Sequence, residues 1–254
     1  MDGRQTARTA LITGAGRRIG AAIARALAGA GYAVVLHANR SRSEAEKLAN
    51  EIAAAGGRAS VVLADLADDH ALRGLIPAAA AFAPLTLLVN NASLFDEDTI
   101  ATLERARFER TLAVNLTAPL LLAQGFAMQA PDGGDASIVN VLDQRVLRPT
   151  PRFFSYALSK SALTAATVTL AQALAPKLRV NAVAPGPTLP SPRQSAGQFA
   201  EQAGLVPLQR GPSPEDIAAA VVYLAGARSV TGTVIAVDGG QHLSWRTPDS
   251  DGAE

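Results

Sequence analysis

Short apolar runs alternate with longer amphipathic stretches along almost the whole of this 254-residue chain. The apolar runs predict seven buried strands, at 9–13, 33–37, 59–64, 85–89, 136–142, 179–184 and 234–237. The amphipathic stretches predict helices at 20–30, 44–55, 69–81, 103–128 (one long helix or two), 155–174 and 214–225. Strands without polar alternation, separated by helices, are typical of a parallel sheet covered on both faces. The pattern therefore predicts a single α/β domain over 8–245, built on a doubly wound parallel sheet.

Three parts of the chain interrupt this regular pattern. Pro77 falls inside the third predicted helix and is expected to kink or break it. The least regular stretch is 185–214, where Pro, Gly, Ser and Gln lie between clear elements. Such a segment is usually a lid or binding loop, so we expect it to shape a substrate pocket; a surface insertion is the alternative. The polar ends, 1–7 and 246–254, are expected to be flexible tails.

Composition and charge narrow the function classes. The formal net charge is only +1, which argues against a nucleic-acid-binding surface. The chain has no cysteine and its three histidines are scattered, so neither a disulfide nor a metal centre is expected. No apolar run reaches about 18 residues and the start is polar, so neither a membrane span nor a signal segment is predicted. The expectation is a cytoplasmic protein that acts on a small molecule.

A glycine-rich loop follows the first predicted strand and opens the first predicted helix. It runs from Thr13 to Gly20 and includes Gly14 and Gly16. Glycines here permit a tight turn and close approach to a pyrophosphate, while the helix N-terminus offers free N–H groups and a positive dipole. The loop predicts a dinucleotide site; an ordinary flexible turn is the alternative.

The segment after the second predicted strand indicates which dinucleotide binds. Sites that prefer NAD(H) often place an acid there, on the adenosine ribose, but 37–42 contains none. Arg40 with Ser41, and Arg17 nearby in the loop, would instead hold a 2′-phosphate. The predicted cofactor is therefore NADP(H). The alternative is that Arg40 and Arg42 are simply solvated.

Tyr156 and Lys160 lie four residues apart in a predicted helix, so the phenol and the ammonium share one face. A neighbouring cation favours the phenolate and should lower the pKa of Tyr156 from its usual value of about 10. Asp143 lies thirteen residues before the tyrosine. The residues that follow strand ends, and should converge on one cleft, are Asn90, Asp143 and Pro185–Gly186. The trio predicts acid–base catalysis; a solvated helix face and, for Asp143, a turn cap are the alternatives.

In this order, these motifs resemble the short-chain dehydrogenase/reductase superfamily over about residues 9–243. The resemblance rests on the glycine loop, Asp65, Asn90-Asn91-Ala92, Asn115, the Tyr156/Lys160 pair, Pro185-Gly186 and Val237-Asp238-Gly239-Gly240. It implies a Rossmann-like sheet and a homotetramer. It also implies that Tyr156 donates the proton, that Lys160 holds the nicotinamide ribose and that Asn115 carries a water-linked proton relay. The alternative for Asn115 is a buried residue that satisfies backbone groups.

The loop, the segment after the second strand and the resemblance together define the expected cofactor site. It comprises Gly14, Gly16, Arg17, Arg18, Ile19, Gly20, His37, Asn39, Arg40, Ser41, Asp65, Leu66, Asn91, Ala92, Ser93, Lys160, Pro185, Gly186 and Thr188. By resemblance Asp65 would contact the adenine, and a helix N-cap is its alternative role.

Two departures from the commonest superfamily pattern point to one branch. Arg18 stands where a third glycine is usual, and Asp143 where a serine is usual. Both are similar to the pteridine reductases and the dihydromonapterin or dihydrofolate reductases, as is the segment 36–41. In that branch Ser93 and Phe95 would line the pterin site. The alternative for Phe95 is an ordinary apolar loop anchor.

Asp143 would select the substrate by its hydrogen bonding. An ionised carboxylate only accepts, so it suits a substrate with N–H donors, such as the amino-pyrimidine edge of a pterin. It would also pass protons from water to Tyr156, whereas a protonated Asp143 would mimic serine. Arg18 would either offset the negative charge or bind phosphate and substrate together. The predicted substrate site is Arg18, Ser93, Phe95, Asp143 and Tyr156.

The sequence thus predicts an NADPH-dependent reductase that transfers hydride to a pterin-type C=N or C=O carbon, with Tyr156 as proton donor. The runner-up is a general carbonyl reductase, such as a 3-oxoacyl-[acyl-carrier-protein] reductase or a polyol dehydrogenase. Those groups usually retain the serine and glycine that Asp143 and Arg18 replace. The third hypothesis is an NADP(H)-binding sensor without turnover, which the intact Tyr156, Lys160 and Asn115 argue against.

Overall fold

Seven parallel strands form one sheet in the computed structural model, which describes residues 8–130, 135–191 and 193–244. The order across the sheet is β3-β2-β1-β4-β5-β6-β7. The strands are β1 (Thr9–Ile12), β2 (Ala33–Ala38), β3 (Ala59–Leu63), β4 (Leu87–Asn90), β5 (Ala136–Val141), β6 (Leu178–Pro185) and β7 (Val234–Val237). From β1 the chain builds the sheet towards one edge, through β2 to β3, and from β4 it builds towards the other edge, through β5 and β6 to β7. Doubly wound sheets open a crevice for ligands between the two central strands, where this change occurs.

The described residues form eight α-helices, most of which flank the sheet. They are α1 (Arg18–Gly29), α2 (Arg42–Ala54), α3 (Asp69–Ala80), α4 (Arg105–Leu112), α5 (Ala118–Gln129), α6 (Phe154–Leu174), α7 (Ala196–Gly204) and α8 (Pro214–Gly226). Apolar residues of α1, α2 and α8 pack on one face, and those of α3, α5 and α6 pack on the other. The strands are apolar on both sides because each side faces a helical layer. The predicted fold class is therefore confirmed.

The predicted helix at 103–128 forms as two α-helices joined by one π-helical turn. The turn covers Ala113–Thr117 and includes Asn115, between α4 and α5. The continuous stretch Arg105–Gln129 is long and apolar enough to cross a membrane by composition alone. Its side chains at Ala118, Leu122 and Phe126 are fully buried in the core, so burial in the fold accounts for this composition.

Two sequence expectations differ from the structure. The helix does not break at Pro77: α3 continues to Ala80, and Leu75 and Ile76 pack in the core. The segment 185–214 is not irregular throughout, since it contains α7. Ser195 and Gln198 form a capping box that starts this helix, a signal present in the sequence. The tails at 1–7 and 246–254 lie outside the described residues.

Candidate active site

The glycine loop is tied to the end of β4. Thr13 Oγ1 accepts hydrogen bonds from the backbone N–H groups of Asn91 and Ala92, each over 3.0 Å. Asn91 Nδ2 donates to the carbonyl oxygens of Thr13 and Gly14, over 2.8 and 3.2 Å. Gly14 has a φ of +65°, and a Cβ on Gly20 would lie 2.3 Å from the Gly14 oxygen. The loop is closed so tightly that both positions require glycine.

His37 supports the same loop from β2. Its Nδ1 accepts a hydrogen bond from the Gly14 N–H over 3.2 Å. The proton of the neutral ring therefore lies on Nε2, 3.1 Å from the Ala64 carbonyl oxygen, to which it donates. Burial lowers the pKa of His37, which favours this neutral form. Both ring nitrogens are engaged within the protein, so His37 shapes the cofactor cleft and presents no unpaired nitrogen to it.

A cleft of about 500 Å³ lies between the glycine loop, the end of β2 and the end of β4. Many of the predicted cofactor residues line it, namely Gly14, Arg17, Arg18, Ile19, Gly20, His37, Asn39, Arg40, Ser41, Asp65, Leu66, Asn91, Ala92 and Ser93. Gly16 packs behind the loop, where a Cβ would lie 2.8 Å from Ser41 Oγ. Arg17, the N-cap residue of α1, makes no side-chain capping bond, which leaves the first N–H groups of that helix for an anion.

Asp65 lines this cleft and pairs with Arg110, a residue that the sequence did not point to. Its Oδ2 accepts a hydrogen bond from Arg110 over 3.0 Å, and its Oδ1 accepts one from the Ala67 N–H over 2.9 Å. The Ala67 bond, and then Arg110, lower the pKa of Asp65. The N-cap of α3 is Asp68, so the helix-cap alternative for Asp65 is wrong.

Arg18 links the glycine loop to the segment after β6. Its backbone has a φ of +55°, in the left-handed region that favours the glycine usual at this position. Its guanidinium donates to the carbonyl oxygens of Pro190 and Leu189, over 2.9 and 3.3 Å. Arg18 therefore spans the entrance between cofactor cleft and substrate segment. It makes no direct ion pair with Asp143, whose partner is Arg145.

A larger cleft of about 930 Å³ lies beyond the carboxyl ends of β4, β5 and β6. The predicted site residues that line it are Arg18, Ile19, Asn91, Ser93, Phe95, Asp143, Tyr156, Lys160, Pro185, Gly186 and Thr188. Gln194, Gln198 and Phe199, from the segment 185–214, also line it. Asn90 does not reach the cleft, because its buried side chain donates to Asn140 within the sheet over 2.9 Å.

The environment of Tyr156 reverses the pKa shift expected from Lys160. The phenol is buried and its hydroxyl donates to Asp143 Oδ2 over 2.9 Å. Burial, followed by the charge of Asp143 and this bond, raises the pKa of Tyr156 well above its usual value. Lys160 Nζ donates instead to the Val141 carbonyl over 2.7 Å and lies 5.8 Å from the tyrosine ring centre. The prediction of a lowered tyrosine pKa is therefore wrong in direction.

Burial also changes Lys160 itself. The ammonium is almost completely enclosed, and desolvation lowers the pKa of Lys160 to about 8. The carboxylate of Asp143 opposes this shift without cancelling it. Lys160 is thus charged at neutral pH but begins to lose its proton in the weakly alkaline range.

Asp143 combines two of the roles considered for it. It caps the short 3₁₀ turn Gln144–Val146, because its Oδ1 accepts from the Arg145 N–H over 2.8 Å. The same carboxylate faces Tyr156 through Oδ2. Arg145 Nη1 lies 3.1 and 3.0 Å from the two carboxylate oxygens. Sequence reasoning missed Arg145, although a cation two residues after Asp143 was visible.

Asn115 sits fully buried at the π-helical turn. Its Oδ1 accepts from the Leu94 N–H over 2.8 Å, and its Nδ2 donates to the Leu94 carbonyl over 2.9 Å. Nδ2 also donates to Ser159 Oγ over 3.1 Å, one residue before Lys160. The side chain therefore satisfies backbone groups, as its alternative role required, and fixes the segment that carries Ser93 and Phe95. Its part in a proton relay stays a prediction.

Phe95 belongs to an aromatic group at the cleft wall. Its ring stacks on Phe153, with centres 4.3 Å apart and planes at 7°. Its edge meets Tyr156 at 4.6 Å and 80°. Phe153, which sequence reasoning missed, adopts a left-handed backbone with a φ of +56° just before α6. Ser93 lines both clefts, where its hydroxyl donates to the Leu94 carbonyl over 3.3 Å.

The fold and site define a dinucleotide-dependent oxidoreductase. A doubly wound sheet carries a glycine loop that leads into an uncapped helix N-terminus, and a tyrosine–lysine pair lines the adjoining cleft. A family model described as enoyl-(acyl carrier protein) reductase matches residues 14–242. The chain belongs to this family, the short-chain dehydrogenase/reductases, in agreement with the resemblance stated from sequence.

Three relatives indicate the range of this family. The crystal structure of FolM alternative dihydrofolate reductase 1 from Brucella canis, complexed with NADP, is 50% identical with a TM-score of 0.94 and covers 98% of this chain and 99% of its own. An uncharacterised oxidoreductase of Methylorubrum extorquens is 39% identical over 92% of this chain and 97% of its own length. A 3-oxoacyl-[acyl-carrier-protein] reductase of Synechocystis is 31% identical over 92% and 97%.

Proposed function

We propose that this protein is an NADPH-dependent reductase of a pterin-type substrate, such as a dihydropteridine or dihydrofolate. The observation that carries the proposal is the hydrogen bond from Tyr156 to Asp143 at the floor of the larger cleft. A carboxylate here accepts hydrogen bonds where a serine would donate one to a substrate carbonyl. The amino-pyrimidine edge of a pterin offers the N–H donors that such an acceptor requires. The similarity to the Brucella canis enzyme supports the same substrate class.

The residues around the smaller cleft fit NADP(H). The glycine loop leaves no room for a Cβ at Gly20, and the N-terminus of α1 has free N–H groups for a pyrophosphate. Arg17, Arg40 and Ser41 would hold a 2′-phosphate, with no acid at 38–39 to repel it. Lys160 would hold the nicotinamide ribose, beside Pro185 and Gly186 in the larger cleft. When bound, the dinucleotide supplies the hydride.

Tyr156 holds the proton that the reduced substrate needs. Its raised pKa keeps the phenol protonated at neutral pH, so it is a proton donor in its resting form. Lys160 supplies a buried positive charge 5.8 Å from the tyrosine ring centre and would stabilise the phenolate left after donation. Asp143 accepts from the phenol until a substrate N–H competes for its oxygens. One face of Phe95 is stacked on Phe153, and a pterin ring in the cleft would stack on the other face.

A general carbonyl reductase is the competing function, because the Synechocystis relative reduces a 3-oxoacyl group by name. The hydrogen-bonding character of Asp143 argues against it, since a carbonyl oxygen and a carboxylate are both acceptors. A homotetrameric assembly is part of the proposal and is supported by the family resemblance. A cytoplasmic location, expected from composition, is proposed with it.

The test is NADPH oxidation followed by absorbance with dihydrobiopterin, dihydromonapterin, dihydrofolate and an acetoacetyl thioester. Tyr156→Phe is compared with Tyr223→Phe, a matched change at an exposed tyrosine of α8 outside both clefts. Dihydropterin turnover that Tyr156→Phe abolishes and Tyr223→Phe retains supports the proposal. Turnover of the thioester alone supports the carbonyl reductase, and NADPH binding without any turnover supports a sensor.

A further inference from the structure

The carboxylate of Asp143 is surrounded by donors. Its Oδ1 accepts from the backbone N–H and from Nη1 of Arg145, and its Oδ2 accepts from the same Nη1 and from the hydroxyl of Tyr156. Three of these contacts come from Arg145, whose N–H groups only donate, and the fourth comes from the Tyr156 hydroxyl. The arrangement therefore suits an ionised Asp143, one of the two states that the sequence left open.

Arg145 is held in place chiefly by this carboxylate. Only 20% of its side chain is exposed, and its Nε is buried without a hydrogen-bond partner. Its guanidinium lies 5.4 and 5.3 Å from the ring centres of Phe95 and Phe153. In the part of the chain that the structure describes, the side-chain hydrogen bonds of Arg145 run from Nη1 to Asp143, so the position of the guanidinium follows from this carboxylate and from the two aromatic faces. Arg145 thus connects the acidic group of the site to its aromatic wall.

The other charged groups of the cleft are engaged elsewhere. Lys160 donates to Val141, Arg18 donates to the segment after β6, and Arg193 donates to the Phe95 carbonyl. Arg152 pairs with Glu97. The charged residues that line the cleft with Asp143 are Arg18, Asp96, Glu97, Arg145, Arg152, Lys160 and Arg193. Within the described residues, the ion pair to Asp143 comes from Arg145.

We propose that Arg145 is a positioning residue of the reductase: it holds Asp143 as an ionised acceptor facing the Tyr156 hydroxyl, and so fixes the cleft for a substrate edge that donates N–H bonds. The inference rests on the proton-donor role proposed for Tyr156. It assigns to Arg145 the charge compensation that the sequence had suggested for Arg18. Because the guanidinium contacts Asp143 and also lies beside Phe95, it sets the distance between the hydrogen-bond acceptor and the aromatic ring.

The direct test is ¹³C NMR of the aspartate carboxyl carbons across a pH series, with the signal assigned by Asp143→Asn. Arg145→Met and Arg145→Gln remove the charge, Arg145→Lys retains it, and Arg148→Met is the matched control, an exposed arginine of the same segment. Throughout this series, the Asp143 signal of the two neutral variants should differ in position from that of the native protein, because the carboxylate has lost the Nη1 donor that lies 3.1 and 3.0 Å from its two oxygens. Arg145→Lys should restore most of the native behaviour, and Arg148→Met should leave it unchanged.

An Asp143 signal that keeps its native position in either neutral variant would overturn the proposal. Thermal unfolding identifies a variant that fails to fold. If Arg145→Met does not fold, Arg145→Gln, which keeps a polar group in the site, provides the test. This readout needs no substrate, so it stands apart from the proposed function. If no pterin is turned over but the signal moves, only the proposed substrate fails; if pterins are turned over and the signal does not move, only the role of Arg145 fails.

A kinetic readout separates positioning from simple support of the fold. In the neutral variants kcat/KM for a dihydropterin should fall by about tenfold, while the KM for NADPH stays within about twofold of the native value and Arg145→Lys recovers most of the activity. Comparable losses in dihydropterin turnover and in NADPH binding, not recovered in Arg145→Lys, would instead assign Arg145 a structural role and contradict the proposal.

Discussion

The Tyr156 hydroxyl donates a hydrogen bond to Asp143 Oδ2 over 2.9 Å, so the phenol and the carboxylate of the site are in direct contact. The tyrosine faces a carboxylate directly, while Lys160 is turned to the Val141 carbonyl. Burial and the carboxylate raise the pKa of the phenol, so the residue is a firmly protonated donor at neutral pH. A protonated phenol of this kind suits the proposed reductive direction, in which a proton is delivered.

Lys160 should set the alkaline side of the pH profile. Its pKa is lowered to about 8 by burial, so the ammonium is charged below that pH and neutral above it. As the pH rises, kcat should therefore fall with a midpoint at pH about 8, because the phenolate left by Tyr156 loses its neighbouring cation. Lys160→Arg keeps its charge to a much higher pH and should move this midpoint upwards by more than one unit. A midpoint that stays in place in Lys160→Arg assigns the alkaline limb to another group.

Arg40 should distinguish NADPH from NADH. Arg40→Ala removes the cation proposed for the 2′-phosphate and, at about 1.5–3 kcal/mol for a charge-assisted bond, should weaken NADPH binding by about 10- to 100-fold. NADH binding should hardly change. Arg42→Ala is the matched control, since that exposed arginine pairs with Glu46 on α2 and lies outside the cleft lining. Equal losses for both dinucleotides, or a loss in the Arg42 variant alone, would reject Arg40 as the phosphate ligand.

Gly20 should not tolerate a side chain, whereas Gly29 in the same helix should. A Cβ on Gly20 would lie 2.3 Å from the Gly14 carbonyl oxygen, and a Cβ on Gly29 meets nothing within 4 Å. Gly20→Ala should destabilise the fold by about 1–3 kcal/mol and reduce NADPH affinity, because the loop must shift. Gly29→Ala should be neutral or slightly stabilising. Thermal unfolding and NADPH titration measure both effects, and similar behaviour of the two variants would refute the close packing described for the loop.

The sequence predicted the elements whose signal is local. The glycine loop, the strand ends that bring Asp143 and Pro185–Gly186 to one cleft and the cation-rich segment at Arg40 follow from spacing and composition. The direction of the tyrosine pKa did not, because it depends on burial and on which side chain the hydroxyl meets. Sequence spacing placed Lys160 on the right helix face but could not show its bond to Val141.

Arg145 and Phe153 were missed for a related reason. Both lie in short irregular segments, where no periodicity predicts the direction of a side chain. Phe153 has a left-handed backbone that phenylalanine seldom adopts, and Arg145 lies within a capped 3₁₀ turn of three residues. Their approach to Phe95 brings together residues from separate loops, which only the folded chain reveals.

The central claim is that Asp143 selects a substrate edge that donates N–H bonds. It is tested most directly by the ratio of kcat/KM for a dihydropterin to that for an acetoacetyl thioester, in native protein and in Asp143→Ser, with Asp69→Ser at a surface ion pair as the matched control. Loss of a charge-assisted bond of about 1.5–3 kcal/mol should lower this ratio by about 10- to 100-fold in Asp143→Ser. The control should keep the native ratio. A ratio that is unchanged or higher in Asp143→Ser would contradict the account.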